Sequence, residues 1–457
     1  MSGVSISEIK ELRKRPCQAD LLVQGGMLLT MVKGESPLAN GTLFIKEGRI
    51  EKIGTARDFT GPRYQCAERI DAGNGVILPG LVNAHTHAAM TLFRGYADDL
   101  PLKQWLFEKI FPLEARVLSP DTVYWGSMLG CLEMIASGTT CFMDGYFFQD
   151  GTVRAAHEAG LRALVAQGVI DFPAPGVPDP KDSLNIARAF VEKWRGFSEL
   201  IQPGLFCHSP VTCSRGTLEK ALEISLEGHA PLQIHLSETL EEVHTLMEDT
   251  GKRPVPYLDD LGFLNSRLIA AHAIHLTDEE IALLGERDVK VAHVPESNMK
   301  LSSGVAPVKK MLDTGIAVGI GTDGSASNND LDLFLEMDIA AKLGKVATMD
   351  PVCLNAREVL RMATAGGASL LGLEKKIGTL EEGKRADIIV VDLDGPHLRP
   401  LYDPYSTLIY SASGADVKDV IVNGCIVMKD RNFRTLDPEE IMARVKEIAR
   451  DFAGIIT

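Results

Sequence analysis

The chain has 457 residues, enough for a large domain with an accessory one, and its apolar share of 45% and charged share of 24% exclude a disordered or fibrous class. A formal net charge of -15 argues against general nucleic-acid binding, which needs a basic surface. No run approaches the ~20 apolar residues that span a bilayer, residues 1–20 read as a solvated leader or short helix rather than a signal sequence, and the eight scattered cysteines, without a CxxC, read as reduced thiols. A soluble cytoplasmic protein is expected.

From Ala19 to about Leu78, short apolar runs such as Leu21–Val23, Leu28–Val32 and Thr42–Ile45 alternate with Gly, Asn and Asp turns, the pattern of small antiparallel strands. The same texture returns in Ile388–Asp392 and Val417–Gly424. Residues 1–78 and 376–457 are therefore expected to form one small β-sandwich domain. Between them, short β-like runs alternate with longer helical stretches, which indicates a parallel sheet. Eight candidate strands fall at Val76–Ala84, Thr139–Asp144, Arg162–Val169, Gly204–His208, Leu232–Leu236, Leu268–Ala273, Val289–His293 and Ala317–Thr322. Eight such units predict an α/β fold of the (β/α)8 TIM-barrel type over residues 79–375, with functional residues at the C-terminal ends of the strands.

The chemistry-bearing residues lie at those ends. His85 and His87 form an HxH after the first run, and two imidazoles at i and i+2 on a strand can reach one metal ion. His235 ends the fifth run and Asp323 follows the eighth, so three imidazoles and one carboxylate could hold a catalytic divalent cation with a position left for water. Taken alone, Asp323 reads equally as a helix N-cap. Glu238, three residues past His235, is placed either to shuttle protons or to open the next helix on the surface. His272, embedded among alanines, is preferred over His275 for the pocket; His208 ends the fourth strand and faces the same mouth or is a core histidine; His293 receives no role. Gly378–Arg385 nearly matches a phosphate-binding loop, but Arg385 replaces the Ser or Thr that would bind Mg²⁺ and a strand follows, so it reads as a turn. There is no GxSxG, no HExxH and no HxE with PCxxC.

Six segments carry a resemblance: Pro79–His87, Leu92–Asp99, Pro101–Leu106, His235–Thr239, Pro295–Leu301 and Gly321–Gly324. Over nearly the whole length the chain resembles the amidohydrolase superfamily, and within it the 5'-methylthioadenosine/S-adenosylhomocysteine deaminase group. The resemblance implies a barrel with one divalent metal, usually Zn²⁺ with Fe²⁺ or Mn²⁺ as alternatives, on residues matching His85, His87, His235 and Asp323. It implies substrate contacts at Glu114, His208, Glu238 and Asp323, with Glu114 binding ribose hydroxyls and Trp105 either stacking on the substrate or packing in the core. The implied catalytic residues are Glu238, His272 and Asp323, the implied reaction is hydrolytic deamination of an adenosine-type nucleoside at C6, and homo-oligomers are usual. One departure bears on substrate. Members acting on S-adenosylhomocysteine are expected to meet its carboxylate with arginine after strand three, whereas Gln167 stands there and no arginine occurs from Ala163 through Ala187. Methylthioadenosine, 5'-deoxyadenosine or adenosine is therefore expected ahead of S-adenosylhomocysteine. The alternatives are a chlorohydrolase or aminohydrolase of triazines, guanine or another heterocycle, and an inactive barrel used as an interaction scaffold.

Overall fold

The computed structural model describes residues 20–66 and 68–456; the expected leader at residues 1–20 falls almost wholly outside them. Eight parallel strands form the barrel: β1 (Leu81–Thr86), β2 (Thr139–Tyr146), β3 (Arg162–Val169), β4 (Ile201–Cys207), β5 (Leu232–Leu236), β6 (Leu268–His272), β7 (Lys290–His293) and β8 (Val318–Ile320), each paired with the next. The ring closes where Thr86 bridges Asp323 in parallel and the Asp323 N–H donates to the His85 carbonyl at 3.0 Å. Gly321 permits that approach, since a Cβ there would lie 2.6 Å from the His85 nitrogen. Helices cover the outside, several entered through a side-chain cap on the orphan N–H groups, as at Ser119, Ser214, Thr239 and Thr277.

The expected strand Val76–Ala84 divides at Gly80. Val76–Pro79 pairs antiparallel with Ile388–Val391 in another sheet, and only Leu81 onward joins the barrel. A Cβ at Gly80 would fall 2.1 Å from the Thr140 hydroxyl, so glycine is needed at this crossing. Unbroken apolarity hid the division because both halves are fully buried.

Strands from the two chain ends build two more sheets. Leu21–Gln24, Gly41–Lys46, Arg49–Thr55 and Glu68–Asp71 form a four-stranded sheet; a seven-stranded sheet includes Met27–Leu28, Val76–Pro79, Ile388–Val391, Val417–Val422 and Cys425–Lys429. Leu21, Val23, Leu43 and Ile45 of the first sheet pack against Ile77, Ile388, Val390 and Ile421 of the second, while the alternate residues Val76, Leu78, Ile389 and Val391 face the barrel's outer core. Both faces of Ile388–Val391 are covered, which is why that run is apolar without alternation. Gly378–Arg385 forms the expected turn before it.

Two expectations need correction. The last helix, Pro438–Ile456, does not join the small β domain. It lies against the barrel helix Pro120–Ala136, with Phe452 stacked on Phe93 at 6.1 Å and Arg444 over Trp125, and its apolar residues Ile441 and Phe452 are buried. The eight thiols are not all free: Cys66, Cys131, Cys141, Cys207, Cys213 and Cys353 are, whereas Cys425 is disulfide-bonded. Among the described residues no helix is long and apolar enough to cross a membrane.

Barrel and sandwich are joined by a buried ion pair. Arg162, which opens β3, donates from Nε and Nη2 to the two Asp387 oxygens at 2.9 and 3.1 Å, and Asp387 Oδ1 also accepts the Asn423 N–H at 2.8 Å. Asp387→Ala would leave a buried guanidinium without its partner, and a loss of about 3–5 kcal/mol in unfolding free energy is expected from urea titration; an unchanged urea midpoint would contradict the assignment.

Candidate active site

At the C-terminal mouth of the barrel, β1 places His85 and His87. Val82 and Ala84 face the barrel interior, and the register of β1 against β2 slips between Asn83 and Thr86. That irregularity shifts the alternation by one residue and turns both histidines inward too, the re-aiming that bulges beside active sites commonly provide. The side chains of His85, His87, His235, His272 and Asp323 converge there. Asp323 Oδ1 lies 3.4 Å from His85 Nε2 and 3.2 Å from His87 Nε2, and His235 Nε2 lies 3.3 Å from His85 Nε2. The ring centroid of His272 is 5.1 Å from that of His235.

The donor set fits a divalent cation. Burial holds His85 down to about 4 and His235 well below the ordinary imidazole value, so both rings are neutral with nitrogen lone pairs to offer. Two neutral imidazole nitrogens facing each other at 3.3 Å beside a carboxylate make an arrangement that a shared cation relieves. His87 Nδ1 is hydrogen-bonded to the Gly145 carbonyl, which fixes Nδ1 as the protonated nitrogen and presents Nε2 to the cluster. Burial alone would raise Asp323, but the imidazoles of His85 and His87 beside it outweigh that and hold it well below the carboxylate range. Its second oxygen accepts from Ser297 Oγ at 2.7 Å and Ser327 Oγ at 3.2 Å.

Around this cluster lies a cavity, part of it open to solvent. Its wall includes every expected contact: Trp105, Glu114, His208, Glu238, His272 and Asp323. Trp105 and Glu114 arrive on the segment Leu102–Val117 that follows β1, and His208 and Glu238 follow β4 and β5. Burial pushes Glu114 up to about 7, partly offset by the hydrogen bond it accepts from the Tyr146 hydroxyl; its other oxygen is buried without a protein partner. Glu238 is likewise raised by burial, and its Oε2 lies 3.7 Å from His272 Nε2. Burial would lower His272, but the carboxylates of Glu238 and Asp323 outweigh it and hold the ring above its ordinary value. His272 Nδ1 donates to Asn298 Oδ1 at 2.8 Å, aiming Nε2 at the pocket.

His275 and His293 stay out of the cavity. His275 Nε2 donates to the Ser303 carbonyl at 2.7 Å, bracing the loop whose Ser303 hydroxyl reaches Glu238 at 3.3 Å. His293 faces away from the barrel interior because its neighbour Ala292 points in. The reading of Gln167 is corrected for the same reason. Leu164 and Ala166 of β3 point into the barrel, so Gln167 points to the helical layer, where Oε1 accepts the Gln149 N–H at 3.4 Å. It cannot meet the far end of a substrate. Even so, none of the described residues lining the cavity is an arginine or lysine.

Sequence reasoning gave no role to Tyr146, Phe206, Ser297, Asn298 or Ser327, all at the site. Tyr146 and Phe206 lie at or beside the C-terminal ends of β2 and β4, where position alone is a signal; Ser297 and Asn298 stand in the polar run directly after β7.

Comparison with known proteins bears on this arrangement. Residues 76–427 match the amidohydrolase family. The chain is 48% identical over 433 residues to the 5-methylthioadenosine/S-adenosylhomocysteine deaminase of Syntrophobacter fumaroxidans, covering 95% of this chain and 98% of that one. It is 45% identical over 436 residues to the 5'-deoxyadenosine deaminase of Methanosarcina barkeri, covering 95% and 98%. Among solved structures, an adenosine deaminase from Xanthomonas campestris with bound zinc superposes with a TM-score of 0.92 at 37% identity, covering 96% of this chain and 99% of that one.

His85 lies against both His235 and Asp323, so His85→Ala is expected to bring divalent metal in the purified protein well below one ion per chain, measured by plasma mass spectrometry. Undiminished metal in that variant would contradict a cation at this cluster.

Proposed function

Since the chain belongs to the amidohydrolase family, and within it to the 5-methylthioadenosine/S-adenosylhomocysteine deaminase group, we propose that it hydrolyses the C6 amino group of adenosine-type nucleosides, releasing ammonia and the inosine analogue. The observation that carries this reading is the pairing in one cavity of a three-histidine, one-carboxylate cluster with a buried carboxyl, Glu114, whose free oxygen suits sugar hydroxyls. A triazine or a free purine has no ribose for Glu114 to bind. The complete donor set likewise argues against an inactive scaffold.

In this reading His85, His87, His235 and Asp323 hold one divalent cation, zinc by its fit to imidazole and carboxylate donors. When bound, the cation supplies Lewis acidity that brings the pKa of water near neutrality. Asp323 accepts a proton from the attacking water, held in place by its bonds to Ser297 and Ser327. His272, oriented by Asn298, stabilises the nucleophile. Burial raises Glu238 above the ordinary carboxyl value, which favours its acid form, and Glu238 delivers a proton to N1 as oxygen bonds to C6, so that the ring never carries a full negative charge. The proton on Asp323 then passes to the amino group, the C6–N bond breaks, ammonia leaves, and the hydroxyl proton returns to Glu238 as the carbonyl forms. Trp105 and Phe111 close an apolar wall around the nucleoside, and His208 contributes a polar contact.

Among the described residues no arginine or lysine lines the cavity, which favours a neutral 5' substituent, because a buried carboxylate without a cation is costly. Methylthioadenosine, 5'-deoxyadenosine and adenosine thus rank above S-adenosylhomocysteine. The reading includes a homo-oligomer working in the cytoplasm.

An ammonia-release screen over those four nucleosides, guanine and triazines is expected to give turnover on the three neutral nucleosides first; turnover on triazines or guanine alone would refute the reading. Glu114 supplies a second test. Its carboxylate, not its acid form, makes the stronger bonds to ribose hydroxyls, so KM is expected to rise as pH falls through about 7. Glu114→Ala is expected to raise KM by about 10- to 100-fold and to remove that pH dependence; a KM that keeps its value in the variant would sink the ribose assignment.

A further inference from the structure

Glu336, on the helix Leu333–Thr348, is fully buried, yet it takes no part in the chemistry described above. Both of its hydrogen-bond partners are neutral. Asn328 Nδ2 donates to Oε1, and the Glu296 backbone N–H donates to Oε2 at 3.2 Å. A carboxyl buried without a cation is costly and needs a reason to be there. Burial raises it well above the carboxylate range, and the nearby Glu296 pushes it the same way, so its neutral acid form is favoured.

The two partners lead to one place. Asn328 Nδ2 also donates to the Thr322 carbonyl at 2.7 Å, the residue before Asp323, and the Asn328 N–H donates to the Gly324 carbonyl at 3.1 Å, the residue after it. Glu296 lies in the short helix Pro295–Lys300, and its neighbour Ser297 donates to Asp323 Oδ2 at 2.7 Å. One arm therefore fixes the Asp323 backbone and the other its carboxylate. That backbone needs fixing, because Asp323 sits at φ 61°, a left-handed conformation that a residue with a Cβ keeps only when its surroundings impose it.

We propose that Glu336 is a positioning residue for Asp323, joining the turn 322–328 to the Ser297-bearing helix so that the Asp323 carboxylate stays aimed at the histidine cluster. The proposal rests on the reading of Asp323 as metal ligand and proton acceptor. It explains why a helix on the outside of the barrel buries an acid that touches neither metal ligand nor cavity.

The test uses the full-length protein with Glu336→Ala, Glu336→Gln, Asn328→Ala, the Glu336→Ala/Asn328→Ala double variant, and Asp323→Ala as reference. Zinc affinity is measured by chelator competition, kcat and KM on methylthioadenosine, and stability by thermal melting of the metal-free form. Glu336→Ala is expected to weaken zinc binding and lower kcat by about 10- to 100-fold, with KM within about twofold. The Asn328→Ala effect should not add to it in the double variant, because both act on one chain of contacts. Glu336→Gln keeps an acceptor for Asn328 and should fall between wild type and Glu336→Ala; if Glu336→Ala does not fold, weakened zinc binding in Glu336→Gln carries the test. A lower melting temperature with zinc affinity and kcat unchanged in both Glu336 variants would overturn the proposal. Asp323→Ala separates the two levels. Loss of zinc and turnover there, with no effect at Glu336, defeats this inference alone, whereas intact zinc binding and turnover in Asp323→Ala defeats the reading beneath it.

Discussion

The structure depends on one backbone contact, the hydrogen bond from the Asp323 N–H to the His85 carbonyl that closes the barrel. Through it the first and last strands meet, so residues 238 positions apart in the chain become neighbours at the level of their side chains. Were the ring open there, the HxH of β1 and the carboxylate after β8 would stand on opposite edges of a sheet. Closure of the fold and assembly of the site are thus one event, and Gly321 serves both by letting the two strands approach.

The same economy governs the strand ends. Ser237, His272, Ala273 and Asp323 all have positive φ, between 49° and 69°. Each turns the chain sharply where a strand leaves the barrel, and each turn presents a polar side chain to the cavity or braces one that does. Such conformations are unfavourable for residues with a Cβ and persist because neighbouring bonds impose them. Ala273 and Ile274 donate to the Leu236 and Ser237 carbonyls at 3.0 and 3.2 Å, tying the exits of β5 and β6 together. The barrel supplies rigidity, and the strained exits spend some of it on orientation.

Much of this was legible in the chain. Arg162–Val169 and Leu232–Leu236 match the structure residue for residue, because parallel strands buried on both faces read as apolar runs between turns. His85, His87, His235 and Asp323 were found from their places at strand ends, which the repeated unit reveals. What escaped depends on facing rather than sequence position. A continuous apolar run concealed the change of sheet at Gly80. Gln167 stands where a carboxylate-binding arginine is expected, but period-two alternation on β3 turns it outward. The amphipathic helix Pro438–Ile456 was assigned by its place in the chain, but its partner is a barrel helix far away in sequence. Glu336 carries no local signature, and the segment Pro295–Leu301 does not by itself show what Ser297 and Asn298 hold, since the significance of all three lies in long-range bonds to His272 and to the Asp323 segment.

The most direct measurement of the central claim is anomalous diffraction at the zinc edge from crystals of the zinc-loaded protein. One strong peak per chain is expected, with His85, His87 and His235 nitrogens and an Asp323 oxygen each about 2.0–2.2 Å from it. A stoichiometric zinc peak lying away from these four side chains would contradict it.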